Sequence, residues 1–159
     1  MYRDFKELLS VLSAHDVRFL VVGAYAVSVH AQPRATKDLD LFVKPDAENA
    51  GRRYAALVEF GAPLEGLTSA DFAESGPFFH MGREPIAVDI MTEIPAVEFD
   101  VAWENRIDNE IDPTTGLKAS FISKDDLIRS KLASRRPQDL ADVDAIRRAK
   151  ESRPQGPRS

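Results

Sequence analysis

Apolar residues recur along the chain at two spacings, which together predict alternating helices and strands. Near the N-terminus the spacing is three or four residues, as on the buried face of a helix. Residues 18–22 form an almost continuous apolar run typical of a buried strand, and residues 38–44 alternate as a strand does. The complete pattern predicts helices at 2–14, 24–31, 46–60, 124–134 and from 137 onward, and strands at 18–22, 38–44, 78–81, 86–91 and 117–122.

Turn and capping residues mark the boundaries between these elements. Residues 82–85 have the composition of a turn, so the strands on either side are expected to form a hairpin. Ser123, followed three residues later by Asp126, is a capping-box signature for the start of a helix. A short helical turn is expected at 69–74. Residues 93–112 indicate only a helix or a strand around the single tryptophan.

The alternation of strands and helices indicates an α/β (α+β) fold. With 159 residues, the chain has the length of one domain with a substantial core, and two complete domains would not fit easily. We therefore expect a single domain over residues 1–150. Residues 151–159, which contain two prolines and a glycine, are expected to form a disordered tail.

Composition narrows the classes of function. The chain has 43% hydrophobic and 30% charged residues, as in an ordinary soluble domain, and no apolar stretch long enough to span a membrane. The sequence contains no cysteine, which excludes disulfides, thiolate metal sites and cysteine nucleophiles. A cytoplasmic location without a membrane partner is the expectation.

Charge is distributed unevenly along the chain. Residues 1–128 contain 12 basic and 22 acidic side chains, whereas residues 129–159 contain 9 basic and 4 acidic ones. The basic C-terminal segment is interpreted either as a solvated helix and tail or as a surface that faces phosphate or RNA.

Three aspartates form a candidate metal site. Asp38 and Asp40 lie two residues apart in a predicted strand, so their side chains share one face, with Cα atoms roughly 6.5–7 Å apart. Such a pair alone is more often a feature of a strand edge or turn. Asp89 interrupts another apolar strand, where a charge needs a partner or a metal ion. Together the three carboxylates could hold a hard cation such as Mg²⁺.

These residues resemble a known superfamily. The chain contains Val22-Gly23-Ala24, then after 13 residues Asp38-Leu39-Asp40-Leu41, and later Val88-Asp89-Ile90. This arrangement is similar to the pattern of the polymerase-β-like nucleotidyltransferases, hG[GS] followed by Dh[DE]h and a later h[DE]h. The resemblance implies a nucleotidyltransferase fold, with a mixed β-sheet flanked by helices and a short C-terminal helical segment.

Further residues resemble one bacterial branch of that superfamily. The run from Gly23 to Asp40, which includes Pro33-Arg34-Ala35-Thr36-Lys37, is similar to AbiEii-like toxins and to small nucleotidyltransferase-like proteins. In that branch a lysine in a later helix is followed by a basic residue and two aspartates. The matching residues here are Lys131, Arg136, Asp139 and Asp142.

The resemblance assigns a role to each matching position. Asp38, Asp40 and Asp89 would be the catalytic, metal-binding carboxylates for two Mg²⁺ ions, with Mn²⁺ as an alternative, and Asp89 would also be the base for the acceptor hydroxyl. The residues that would contact the NTP are Gly23, Ala24, Arg34, Thr36 and Lys131. Ala24 departs from the motif because it lacks the usual serine hydroxyl or second glycine. Arg34 and Thr36 could compensate from the loop.

The surroundings of Lys131 leave two interpretations open. Leu127, Ile128 and Leu132 place this lysine on or beside the apolar face of its helix. A lysine in that position either extends to the surface or pairs with an acid or a phosphate.

The resemblance implies transfer of a nucleoside monophosphate from an NTP to a hydroxyl of an RNA such as tRNA, a protein or a small molecule. It also suggests the toxin of a toxin–antitoxin pair, with a cognate antitoxin as partner. A non-catalytic nucleotide-binding or antitoxin-like regulatory module of the same fold is the alternative. A metal-dependent phosphohydrolase has less support, because no histidine or further acid clusters with the three aspartates in the sequence.

Overall fold

The computed structural model describes residues 1–32, 38–73, 79–83 and 86–152. Its helices are α1 (Arg3–Ala14), α2 (Gly23–His30), α3 (Ala47–Phe60), α4 (Ser69–Ala73), α5 (Phe99–Glu104), α6 (Lys124–Ser134) and α7 (Pro137–Ser152). Its strands are β1 (Phe19–Val22), β2 (Asp38–Val43), β3 (Phe79–Arg83), β4 (Ile86–Met91), β5 (Ile107–Asp112) and β6 (Leu117–Phe121).

Within these ranges the strands form one mixed sheet of six, in the order β3-β4-β2-β1-β6-β5. The inner strands pair β1 antiparallel to β2, β2 parallel to β4, and β1 parallel to β6. Both outer strands are added as antiparallel hairpins, β3 on β4 and β5 on β6. The predicted α/β class and the predicted hairpin between β3 and β4 are confirmed.

The core lies between this sheet and its helices. All four residues of β1 are buried, as expected for a central strand with helices nearby. The predicted apolar stripe of α1 is buried as well, and its members are Phe5, Leu8, Leu9 and Leu12. Asn49 of α3 fastens the start of β1, because its amide side chain bonds both the N–H and the carbonyl of Arg18.

Local capping explains why two helices begin where they do. The Asp46 side chain accepts a hydrogen bond from the Asn49 N–H at the start of α3. Ser123 accepts one from the Asp126 N–H at the start of α6, as the capping signature predicted. Helix α6 ends at Arg135, which has a φ of 57° in the left-handed region. This residue redirects the chain into α7.

The C-terminal helix runs to Ser152, two residues beyond the expected end of the domain. The remainder of the predicted tail, residues 153–159, lies outside the described residues. No helix in the described ranges is sufficiently long and apolar to cross a bilayer.

Candidate active site

The strand register brings two of the predicted acids side by side. In the parallel pair of β2 and β4, Asp40 lies opposite Asp89. In the antiparallel pair of β1 and β2, Asp40 also lies opposite Val22, the last residue before α2. The carboxylates and the glycine turn, which are far apart in sequence, therefore meet at one edge of the central strands.

Gly23 allows this close approach. Its φ of +68° lies in the left-handed region, where a side chain is strained. A Cβ atom at this position would lie 2.1 Å from Oδ2 of Asp40. Both the backbone conformation and the space therefore require glycine, and the carboxyl group of Asp40 packs directly against the turn.

The environment of Asp40 raises its pKa from 3.8 to about 6. The largest cause is burial, followed by the negative charges of Asp89 and Asp38. A hydrogen bond with Asp89 acts in the same direction, since one of the two carboxyl groups must hold a proton to donate it. The positive charge of Lys131 opposes these effects. The site thus concentrates negative charge that a cation would relieve.

A histidine completes the surroundings of Asp89. His80 lies opposite Asp89 in the hairpin of β3 and β4, and its Nδ1 donates a hydrogen bond of 2.5 Å to Oδ1 of Asp89. This bond fixes the orientation of the Asp89 carboxyl group. The partner of His80 is thus a candidate catalytic residue.

Two basic groups of the site are Lys131 of α6 and Arg136, which lies between α6 and α7. Nζ of Lys131 lies 2.9 Å from Oδ2 of Asp142 and 3.4 Å from Oδ1 of Asp139. Arg136 donates to Asp139 through Nε at 2.8 Å. Burial raises the pKa of Asp139, but hydrogen bonds from Arg136 and Ser134 and the charge of Lys131 outweigh it and lower the pKa to about 2. These ion pairs hold Lys131 in place.

These groups line one cleft of about 330 Å³, here called the carboxylate cleft. Asp40, Asp89 and Gly23 line it together with Lys131 and Arg136. Apolar side chains complete the lining, and they include Met91, Ile94, Pro95, Ile122 and Leu127. The cleft therefore combines carboxylates, cations and an apolar surface, as ligand sites commonly do.

Two other predicted site residues, Asp38 and Ala24, lie close to this cleft. Asp38 is half-buried beside the cleft, and its charge acts on Asp40. Ala24 lies in the first turn of α2, where backbone N–H groups have no partner within the helix. Arg34 and Thr36 lie outside the described residues.

The carboxylate oxygens of Asp40 and Asp89 have the right chemistry for a divalent cation, although they are not arranged as a complete metal site. Among the described residues, no group of three or more histidine, aspartate or glutamate side chains stands in an arrangement that would hold a metal ion. Asp40 and Asp89 nevertheless provide adjacent carboxylate oxygens, the ligands that Mg²⁺ prefers. Their mutual repulsion is the reason to expect a cation there.

Two residues of the site were not identified from the sequence as site residues. Arg136 matched the pattern of the bacterial branch but was assigned no role, yet it lines the cleft although its side chain is 75% exposed. His80 was separated from the acids in sequence, but the predicted hairpin contained the signal. Once the register of β3 and β4 is known, His80 must lie beside Asp89.

The chain matches, over residues 2–151, a family model described as "Nucleotidyltransferase of unknown function (DUF6036)". Among curated proteins, none matches the sequence.

Solved nucleotidyltransferase structures resemble the whole described domain. The lincomycin-bound lincosamide antibiotic adenylyltransferase LnuA is 15% identical with a TM-score of 0.60, over 92% of this chain and 96% of that chain. A putative nucleotidyltransferase from Thermotoga maritima is 18% identical with a TM-score of 0.56, over 95% and 92%. An antigenic nucleotidyltransferase-like protein from Paracoccidioides brasiliensis is 19% identical with a TM-score of 0.52, over 90% and 75%. At these identities the similarity confirms the fold alone.

Proposed function

The chain belongs to this nucleotidyltransferase family, and we propose that it transfers a nucleoside monophosphate from an NTP to a hydroxyl acceptor in the carboxylate cleft. The observation that carries the proposal is the meeting of Asp40 and Asp89 beside the Gly23 turn, with Lys131 in the same cleft. Carboxylates for a cation and cations for phosphate are the two requirements of phosphoryl transfer. The cleft supplies both within one small volume.

The triphosphate is proposed to lie between the start of α2 and Lys131. The first-turn N–H groups of Gly23 and Ala24 can donate to phosphate oxygens, and the helix dipole favours negative charge there. Lys131 would exchange part of its pairing with Asp142 and Asp139 for the phosphate. Contacts from Arg34 and Thr36 stay a prediction.

Asp40 and Asp89 are proposed to hold Mg²⁺ or Mn²⁺ with Asp38 beside them, and two ions are expected by resemblance. When bound, these ions supply neutralisation of the phosphate charge and a lower pKa for the acceptor hydroxyl. Asp89 is the proposed proton acceptor from that hydroxyl through its carboxylate oxygens. His80 positions Asp89 by donating from Nδ1.

The resemblance implies three classes of acceptor, which are an RNA such as tRNA, a protein and a small molecule. The apolar wall of Met91, Ile94 and Pro95 is compatible with a hydroxyl compound that has an apolar part. A role as toxin with a cognate antitoxin, and a cytoplasmic location, stay hypotheses.

A non-catalytic nucleotide-binding module is the second candidate function. Two observations favour it: Ala24 replaces the usual motif residue, and Lys131 is already paired with buried acids. Such a module would bind NTP without turnover.

The test uses NTPs labelled at the α-phosphate, with Mg²⁺ or Mn²⁺ and with tRNA, protein or small hydroxyl compounds as acceptors. The proposal expects label on one acceptor together with pyrophosphate, and loss of both in Asp89→Asn. Glu65→Gln is the matched control, because Glu65 is exposed and does not line the carboxylate cleft. Saturable NTP binding without turnover would support the module instead. Release of free nucleotide without transfer would indicate a hydrolase.

A further inference from the structure

A second cleft, of about 570 Å³, lies away from the carboxylate cleft and shares none of its lining residues. It is lined by residues 16–19 at the start of β1, by the middle of β6, and by one residue each of α1, α3, α5 and β5. We call it the basic cleft, after Arg18, Arg52 and Lys118, which line it together with Trp103. The proposed transferase reaction uses none of these side chains.

The basic groups in this cleft are concentrated in an otherwise acidic region. Residues 1–128 contain only 12 basic side chains against 22 acidic ones. Three of the 12 line the basic cleft, and a fourth, Arg106, stacks on its Trp103 wall at 4.0 Å. They come from separate parts of the sequence, so the fold itself brings them together. Repulsion among like charges makes such a concentration costly, so nearby acids or a bound anion must offset it.

Arg18 is held in position before any ligand binds. Asn49, which is 1% exposed, accepts from the Arg18 N–H at 2.8 Å and donates to its carbonyl at 3.1 Å. The guanidinium lies 5.4 Å from the centre of the Trp103 ring, a cation–π contact that does not occupy its N–H groups. Pre-organisation of this kind lowers the entropic cost of binding.

Neither Arg18 nor Lys118 forms an ion pair with a carboxylate of the described residues. Arg52 pairs with Glu48 on its own helix. The two acids of the basic cleft are Asp16 and Asp108, and Asp108 accepts a hydrogen bond of 2.8 Å from Ser120. Asp108 also lies 3.9 Å from Nε of Arg106. With Arg106 and Glu48 included, four basic groups stand against three acids, so the cleft carries one more positive than negative charge.

We propose that the basic cleft is a second binding site, which takes a phosphate monoester. Arg18 supplies a planar fork of donors, and Lys118 supplies a point charge, two groups that bind phosphate well. The volume accommodates a small phosphorylated compound as well as inorganic phosphate. Both sources share the same chemistry at the recognised group.

Trp103 makes the proposal directly measurable, because it is the only tryptophan of the chain and lines the basic cleft. The full chain, free of metal, is titrated with inorganic phosphate or with glycerol 3-phosphate while tryptophan fluorescence is recorded. KCl at equal ionic strength controls for general salt effects. A saturable change with phosphate is expected, and the compound that binds more tightly identifies the source.

Matched variants test the two side chains that are proposed to bind the phosphate group. Lys118→Gln is expected to weaken phosphate binding about three-fold, as for an exposed charge, and Arg18→Gln about ten-fold. Lys124→Gln, outside the basic cleft, should leave the affinity unchanged. Lys118 has no ion-pair partner among the described residues, so its substitution tests the site even if Arg18→Gln lowers stability. A response identical to that with KCl, or equal affinities in wild type and Lys118→Gln, would overturn the proposal.

Discussion

Replacing Asp40 by asparagine is expected to stabilise the metal-free protein at neutral pH. The wild-type carboxyl group is packed against Gly23, with the charges of Asp89 and Asp38 acting on it. Asparagine keeps nearly the same shape but carries no charge. It therefore removes the repulsion and the cost of burying a charged group without leaving a cavity.

The pH dependence has a definite sign. The pKa of Asp40 is 3.8 unfolded and about 6 folded, so the folded state binds more protons than the unfolded state within this window. The stability of the wild type consequently falls as the pH rises from about 4 to about 6. At about 1.4 kcal/mol per pKa unit, the full effect is about 3 kcal/mol, reached near pH 7. Asparagine does not titrate and escapes this loss.

The assay is urea unfolding with a chelator present, at several pH values between 4 and 8. The difference in free energy of unfolding between Asp40→Asn and wild type should be near zero at pH 4 and should grow towards neutral pH. Glu65→Gln, an exposed carboxylate, serves as the control and should show no such trend. An Asp40→Asn variant that is less stable than wild type by a similar amount at every pH would refute the reasoning.

Four further substitutions have defined outcomes. Gly23→Ala should lower the free energy of unfolding by about 1–2 kcal/mol from backbone strain alone, and it should displace Asp40. Urea unfolding and NTP transfer measure the two effects. Gly51→Ala, which has open space around it, should instead stabilise α3 by about 0.5–1 kcal/mol. Lys131→Ala should weaken NTP binding in calorimetry about ten-fold and also lower the melting temperature, because it leaves buried acids without their cation; unchanged NTP affinity would make Lys131 structural only. Asp139→Asn should lower the free energy of unfolding by about 1–2 kcal/mol at pH 7, after allowance for solvent screening. The pKa of Asp139 is lower in the folded state than in the unfolded state, so the difference between variant and wild type should vanish as the pH falls from about 4 to about 2.

The sequence predicted those parts of the fold that have strong periodicity or a capping signal. The stripe of α1, the apolar β1 and the start of α6 at Ser123 all appear as expected. The sequence did not distinguish strand β5 from a helix, because β5 is a charged edge strand, Ile-Asp-Asn-Glu-Ile-Asp, most of which faces solvent. Such strands are specified by their neighbour and not by an apolar face of their own.

The residues of the candidate site that could be predicted are those whose local sequence context is unusual. An aspartate within an apolar strand needs an explanation at once, so Asp89 was found from the sequence alone. The partners of Lys131 and the contact between His80 and Asp89 depend on tertiary arrangement and on strand register. Periodicity specifies faces and does not specify which faces meet.

The central claim is that the carboxylate cleft binds a metal–nucleotide complex. The direct measurement is the stability of the protein with and without Mg²⁺ and a non-hydrolysable NTP, for wild type and for Asp38→Asn, Asp40→Asn and Asp89→Asn. A ligand at 100 times its dissociation constant should stabilise the wild type by about 2.7 kcal/mol. We predict that each variant loses this increment while being at least as stable as wild type without ligand. Variants that respond to Mg²⁺ and nucleotide as the wild type does would contradict the account.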